Sequence, residues 1–360
     1  MIIKSISLKN FRNYSEEKFD FSSNINILYG KNGQGKTNVI EALYYFCQGK
    51  SYRGCKDKEV IKFNEDKCLL KIEFESNLRD MEAEIIIDES KIVSINGINI
   101  KRLSELVGYL KAVIFTPDHL NIIKSGPSQR RNFLDSFLSS VYPVYFKYLI
   151  NYYKVLKQKN ILLKNRNNNY SLLSVWNEKL SEYGVIISKY REEIIKKINP
   201  YIKKYQKEIS DEKEDLYLEY VCNIKDMKED KEKLYKYLEE NKSRELEAGI
   251  SLIGPHRDDF NFIINEKNAK IYSSQGQQRT AVLSLKLSEA DIIYDIVNEY
   301  PILLLDDITS ELDEKRIEYL TSKIKDKQVI ITCTKKEKNL LNNENTRIFK
   351  IKEGKIAREE

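Results

Sequence analysis

Two short stretches constrain this chain more than anything else in it: Gly30-Lys31-Asn32-Gly33-Gln34-Gly35-Lys36-Thr37, and Asp306-Asp307 at the end of Pro-Ile-Leu-Leu-Leu. Lys36 precedes Asp306 by 270 residues. The first stretch has the make-up of a phosphate-binding P-loop. Glycines let successive backbone N–H groups point inward at an anion, and a lysine reaches the β- and γ-phosphates. Gly30, Gly33 and Gly35 meet the first need and Lys36 the second, while the Thr37 hydroxyl suits Mg2+. Asn24 to Tyr29 alternates as a delivering strand would, and Val39, Ile40, Leu43, Tyr44 and Cys47 recur at helical spacing up to Gly49. Strand, loop and helix therefore follow in the order the motif requires. Gly30, Lys31, Asn32, Gly33, Gln34, Gly35, Lys36, Thr37 and Asn38 are the candidate nucleotide-binding residues.

The second stretch reads as a buried parallel strand, since Ile302 to Leu305 is fully apolar and ends abruptly in two acids. Burying charge there is costly without a cation. Asp306 is then a partner of Mg2+, directly or through water, and Asp307 orients or deprotonates an attacking water. Lys36 and Asp307 are the candidate catalytic residues. An exposed turn at a strand end has the same letters, so the acids carry weight only beside the P-loop.

The long separation implies an insertion, because a compact P-loop domain brings its phosphate and acidic elements together in far fewer residues. Residues 1–116 and 248–360 are expected to form a discontinuous head, and residues 117–247 an inserted arm. The head begins with strands: Met1 to Leu8 alternates, as do Leu69 to Phe74, Ala83 to Ile87 and Ile92 to Ile100, and it ends in a hairpin from Ile348 to Ile356. The arm is mainly helical, with Trp176, Leu180, Tyr183, Val185 and Ile187 on one helix and Ile194, Ile195, Ile198, Tyr201 and Tyr205 on the next. Asn165 to Asn169 is a polar break, and no heptads persist long enough for a coiled coil. The chain is expected to return to the head at Ser251 to Gly254.

Composition narrows the class. A hydrophobic content of 41% with only 13 Gly and 6 Pro argues against disorder. No apolar run approaches bilayer length, which predicts no membrane partner, and the five cysteines lack metal-site spacing, which predicts free thiols in a reducing cytoplasm. The net charge of +6 is uneven. Residues 145–210 hold 14 basic and 5 acidic side chains; residues 211–247 hold 8 and 13. Lys147, Lys154, Lys157, Lys159, Lys164 and Arg166 are candidates to neutralise nucleic-acid phosphates, although lysine-rich helices are commonly just solvated.

Ser274-Gln275-Gly276-Gln277 opens a long apolar helix upstream of the acids, and Ser310-Glu311-Leu312-Asp313 follows them. Taken alone, Ser274 to Gln277 is also what an ordinary helix start with a Ser N-cap looks like. With the P-loop, these stretches resemble the signature loop and D-loop of the ABC-type ATPases, with Ser310 and Asp313 as the D-loop residues. That resemblance implies an α/β ATPase head, ATP as ligand, and a signature loop that caps the γ-phosphate held by a second copy, so that ATP joins a homodimer.

Further stretches narrow the likeness. They are Leu8 to Tyr14, Ser51-Tyr52-Arg53 with Asp57 to Glu59, Gly126-Pro127 with Arg130 to Asp135, and Gly254 to Asp259. The chain thereby resembles, over nearly its full length, the RecF family of bacterial recombination mediators, which are SMC-like ATPases. The resemblance implies weak DNA-dependent hydrolysis of ATP to ADP and phosphate. It also implies binding to double-stranded DNA and to single-strand/double-strand junctions at gaps, partnership with RecR, and help in loading RecA during repair, replication and the SOS response. Two departures stand out: Lys159-Asn160 replaces the usual Arg-Asn, and Thr332-Cys333-Thr334 stands where transporter ATPases carry a switch histidine, leaving Thr332 or Thr334 to substitute. Arg130, Arg131, Arg257 and Arg279 are candidates for phosphate or subunit contacts, or for structural ion pairs. A nucleotide-gated binding module without meaningful hydrolysis and a transporter-type subunit are the alternative readings, the second weakened by the missing histidine.

Overall fold

Residues 1–102, 105–165, 171–223, 230–308, 312–324, 327–335 and 345–359 are described in a computed structural model. The chain opens with β1 (Ile2–Phe11), β2 (Tyr14–Asp20), β3 (Ile25–Tyr29), α1 (Lys36–Gln48), β4 (Cys68–Ser76), β5 (Arg79–Ile87), β6 (Lys91–Ile95), β7 (Ile98–Ile100) and β8 (Ala112–Phe115). Next come α2 (Asn121–Lys124), α3 (Pro127–Val141), α4 (Pro143–Lys164), α5 (Ser171–Ile209), β9 (Leu216–Val221), α6 (Lys231–Glu240) and α7 (Lys242–Ala248). The last part holds β10 (Asp259–Ile264), β11 (Lys267–Asn268), α8 (Ala269–Tyr272), α9 (Gln275–Val297), β12 (Ile302–Leu305), α10 (Glu314–Lys323), β13 (Val329–Cys333), β14 (Arg347–Lys352) and β15 (Lys355–Glu359).

These elements group into two units, one of residues 1–120 with 285–360 and one of residues 121–284. The first unit holds two six-stranded sheets. One is antiparallel, ordered β2-β1-β4-β5-β6-β7, and its strands alternate because one face is buried: in β4, Cys68, Leu70, Ile72 and Phe74 point inward. Ile92 to Ile100 is a hairpin instead of one strand, because Asn96 (φ 48°) and Gly97 (φ 75°) take the left-handed conformation of a tight turn.

The other sheet, ordered β15-β14-β3-β13-β12-β8, is parallel except for β15, and β3, β12 and β13 are almost entirely buried. Its order decides the chemistry. β13 lies between β3, which delivers the P-loop, and β12, which delivers Asp306. A single core joins both sheets and α1 through residues such as Leu8, Leu43, Phe74, Leu304 and Phe349.

The second unit differs from the sequence expectation at its far boundary. Residues 248–284 group with it and not with the head, because β10 pairs antiparallel with β9 along its whole length and β11 extends the ladder. The arm is therefore helical with a three-stranded sheet. Two expected helices are one, α5, of 39 residues. Its buried stripe runs without interruption through Leu173, Leu180, Ile187, Ile194, Ile198, Ile202 and Tyr205, and Pro200 sits on the exposed side. The stripe escapes an apolar-periodicity reading because buried Asn177, Gly184 and Arg191 interleave it. Residues 166–169 of the expected polar break lie outside the described residues.

Candidate nucleotide site

The loop between β3 and α1 has the backbone of an anion cradle. Gly33 takes φ 77°, and Gly35 takes φ 115° where a Cβ would lie 2.7 Å from Asn13 Oδ1, so glycine is required for conformation and for space. α1 starts at Lys36 with no side-chain cap and no acid in its first turn, where Asn38 N donates to Gly35 O (3.0 Å), so the positive end of the helix at the loop is not offset by a side chain of that turn. Lys36 is 8% exposed and its Nζ donates to Gly30 O (2.6 Å) and Lys31 O (2.9 Å), folding the ammonium back over the loop. Burial lowers the Lys36 pKa, opposed by Asp307, Cys333 and Asp306. Lys31, Asn32 and Gly33 are exposed, and Gln34 is half-buried.

Asp306 is 5% exposed and, among the described residues, accepts hydrogen bonds only from hydroxyls. Thr37 Oγ1 (2.9 Å) and Thr332 Oγ1 (2.8 Å) donate to Oδ1, and Tyr52 OH (3.1 Å) donates to Oδ2. Thr332 is fully buried and its Oγ1 also accepts the Asp307 N–H (2.9 Å), so this one side chain on β13 sets both acids at the end of β12. Of the two threonines expected to replace a switch histidine, Thr332 is thus committed to the acids, and Thr334 is exposed beyond the strand end. Asp307 adopts φ 48°, a conformation costly for a non-glycine residue and common at functional sites.

Residues far away in sequence brace the loop. Asn13 Nδ2 donates to Gln34 O (2.9 Å), Asn38 Nδ2 donates to Asn13 Oδ1 (2.8 Å), and the β14–β15 turn adds Gly354 N to Gln34 O (3.0 Å) and Glu353 N to Gln34 Oε1 (2.8 Å). On the other side of α1, fully buried Glu41 accepts two bonds from Arg12 (2.6 and 2.9 Å) and one from Ser51 Oγ, with Arg53 3.5 Å away. Sequence reasoning assigned no role to Asn13, Arg12, Glu41, Tyr52 or Arg53. Arg12, Asn13, Tyr52 and Arg53 fall inside the stretches that carried the family likeness, but contacts spanning up to 319 residues leave no local signal.

The remaining candidates are scattered. Ser274 and Gln277 form a reciprocal capping box at the start of α9: Gln277 N donates to Ser274 Oγ (3.2 Å) and Ser274 N to Gln277 Oε1 (2.9 Å). Ser274 and Gln275 are exposed there. Asp313 caps α10 by accepting from Arg316 N (3.0 Å), and Ser310 lies outside the described residues, as does Arg166. Lys159 is a correction. It is 1% exposed with Nζ 2.5 Å from Glu245 Oε2, equally buried, so it is not available to phosphates. Lys147, Lys154, Lys157 and Lys164 remain exposed on α4, a helix without a single carboxylate. Arg130 also closes a structural pair, bidentate to Asp259 (2.6 and 2.9 Å).

These residues fit Mg2+ and a nucleotide. A hard cation of this size takes oxygen ligands and is held by one or two protein groups plus substrate phosphates, which matches Thr37 and Asp306. Among the described residues no group of three or more His, Cys, Asp or Glu converges as an all-protein metal cage.

Known proteins resemble this chain over nearly its whole length. The family model for the RecF/RecN/SMC N terminal domain matches residues 2–357. The DNA replication and repair protein RecF of Clostridium perfringens (strain 13 / Type A) is 41% identical over 360 residues, with 99% of each chain covered. RecF of Clostridium tetani (strain Massachusetts / E88) is 43% identical over 363 residues, covering 98% of this chain and 99% of its own. A solved structure of the recombination mediator RecF with ATP in the RecFOR pathway superposes with a TM-score of 0.91 at 36% identity, covering 100% of this chain and 97% of that one. An Smc head bound to the C-winged helix domain of ScpA has the same fold, with a TM-score of 0.58 at 15% identity over 98% of this chain and 95% of that one. Thr37, Thr332 and Asp306 thus meet within an ABC-type, SMC-like head, and the chain belongs to the RecF family of the RecF/RecN/SMC proteins.

Proposed function

We propose that this chain is an ATP-switched DNA repair protein in which nucleotide binding joins two copies and slow hydrolysis releases them. One observation carries the reading: a buried carboxylate, Asp306, meets the P-loop threonine and, among the described residues, takes its hydrogen bonds from neutral hydroxyls alone. Such a charge is stabilised when a cation completes its surroundings. Thr37 and Asp306 would hold Mg2+, which when bound neutralises charge on the β- and γ-phosphates. The P-loop backbone from Gly30 to Gly35 and the Lys36 ammonium bind the phosphates. Asp307, fixed through its N–H by Thr332, orients the attacking water.

The exposed start of α9, from Ser274 through Gln277, would cap the γ-phosphate held by a second copy, with Ser310 and Asp313 lining the same junction. Lys147, Lys154, Lys157 and Lys164 would contact DNA phosphates. The RecF kinship further supports binding at single-strand/double-strand junctions beside gaps, partnership with RecR, help in RecA loading, a part in the SOS response, and a cytoplasmic location. Among the described residues no helix is long and apolar enough to cross a membrane.

Sedimentation with and without Mg2+ and ATP tests the switch. Wild type is expected to shift from monomer to dimer with nucleotide, and Lys36→Ala to stay monomeric; dimers in that variant would overturn the glue role of ATP. For DNA, the slope of log affinity against log salt for a gapped duplex should fall by about 0.9 for each α4 lysine that meets a phosphate when it is changed to Ala. Asp307→Asn should abolish turnover while leaving nucleotide binding in place.

A further inference from the structure

Asp306 takes its three hydroxyl donors from three separate segments: Thr37 at the start of α1, Thr332 on β13, and Tyr52 in the strap of residues 49–56 that follows α1. A carboxylate offers about four lone-pair directions, two on each oxygen. Thr37 and Thr332 occupy both on Oδ1, and Tyr52 occupies one on Oδ2. Among the described residues a single direction on Oδ2 is left, and the Tyr52 hydroxyl decides where it points.

Tyr52 is itself held. Its ring packs edge-on against Tyr44 at 5.7 Å between centroids, and the Arg53 guanidinium lies 6.0 Å from the ring centre. Arg53 in turn donates to Asn38 Oδ1 (3.2 Å) and sits 3.5 Å from Glu41, while Ser51 ties the strap to the same glutamate. The strap therefore has anchors on both ends of the first two turns of α1, and its middle residue reaches the acid on β12.

We propose that Tyr52 is a positioning residue that aims the Asp306 carboxylate at the metal of a bound Mg2+–nucleotide, so that the 49–56 strap and the metal site are set together. This rests on the reading of Thr37 and Asp306 as the metal side of the site. Thr37 and Thr332 fix one carboxylate oxygen; without Tyr52 the other swings within the pocket.

The test measures ATP binding calorimetrically on the full chain at a series of free Mg2+ concentrations, and in EDTA, for wild type, Tyr52→Phe and Asp306→Asn. Phe keeps the ring between Tyr44 and Arg53, so unliganded thermal unfolding should match wild type. In EDTA, Tyr52→Phe should bind ATP within about twofold of wild type, while its half-saturating Mg2+ should rise about tenfold, the low end for a hydrogen bond to a charged acceptor. Equal loss of affinity with and without Mg2+ would mean a merely structural role and overturn the proposal. Wild-type Mg2+ dependence in Tyr52→Phe, with Asp306→Asn flattened, would overturn it while leaving the metal site standing. A flat response in wild type would overturn both.

Discussion

Both units bury charge in closed pairs, as Glu41 with Arg12 in the head, but the head also holds a buried carboxylate with no such pair among the described residues. In the arm each buried charge is closed by its own partner: Arg191, 1% exposed, meets Asp135 at 2.7 Å and the Pro255 carbonyl at 2.6 Å; Lys159 meets Glu245; and Arg130 meets Asp259. Asp258 accepts from the neutral donors Ser188, Tyr220 and the Asn223 N–H, and the Arg191 charge lies close enough to compensate it. In the head, Asp306 accepts from hydroxyls, which orient the charge without cancelling it, and the Lys36 ammonium that feels its charge donates to the loop carbonyls of Gly30 and Lys31 instead. Closed pairs are scaffolding. A buried carboxylate left to hydroxyls beside a phosphate-binding loop is open to a cation.

Opening a closed pair should have the largest effect on stability. Asp135→Ala leaves the Arg191 guanidinium buried without its carboxylate and should cost about 3–5 kcal/mol in urea unfolding. A loss below about 1 kcal/mol would break the contrast from the arm side.

His256 should give the next largest effect. Burial lowers its pKa from 6.5 to about 4, with the Ser251 carbonyl acting the other way, and its Nδ1 pairs with Tyr152 OH at 2.6 Å. Between pH 6.5 and 4 the unfolded chain therefore binds more protons than the folded one. The stability contributed by neutral His256 is complete above pH 6.5 and is lost as pH falls towards 4, up to about 3 kcal/mol. Unfolding at pH 7 and pH 5 should show this loss in wild type and less of it in His256→Gln.

Thr332→Val removes a donor to Asp306 and the acceptor of the Asp307 N–H, and should cost about 1–3 kcal/mol together with impaired Mg2+-dependent nucleotide binding. A stability loss with nucleotide binding intact would mean that Thr332 merely packs β13. The smallest effect belongs to exposed pairs: Lys203→Ala, which removes a 2.7 Å contact with Asp215, should change stability by less than about 1 kcal/mol.

What could be read from the sequence follows the same divide. The P-loop, its strand and its helix were legible because glycine spacing, a lysine and apolar periodicity are local, and Asp306 was legible because a wholly apolar strand ending in acids is unusual. The parts that hold them were not: Tyr52 to Asp306 spans 254 residues, and Glu353 to Gln34 spans 319. The arm was read less well for a physical reason. Apolar periodicity is the main sequence signal for a buried face, and α5 buries Asn177, Gly184 and Arg191 along its stripe, so one helix looked like two. Lys159 counted as a surface charge because its partner Glu245 is 86 residues away. Nor did residues 259–264 betray that they pair with β9, since strand pairing leaves no mark in either strand alone.

We read Asp306 as an open charge that a metal and nucleotide would complete. Thermal unfolding of wild type and Asp306→Asn, each with ATP in EDTA and with ATP plus Mg2+, tests it most directly. Asp306→Asn should be at least as stable as wild type without ligand, since a buried charge among neutral donors has been removed, and Mg2+ should add nothing to its stabilisation by ATP. Wild type should gain clearly more from ATP with Mg2+ than from ATP alone. If the Asn variant unfolds well below wild type without ligand and gains as much from Mg2+, Asp306 is a structural charge and the account is wrong.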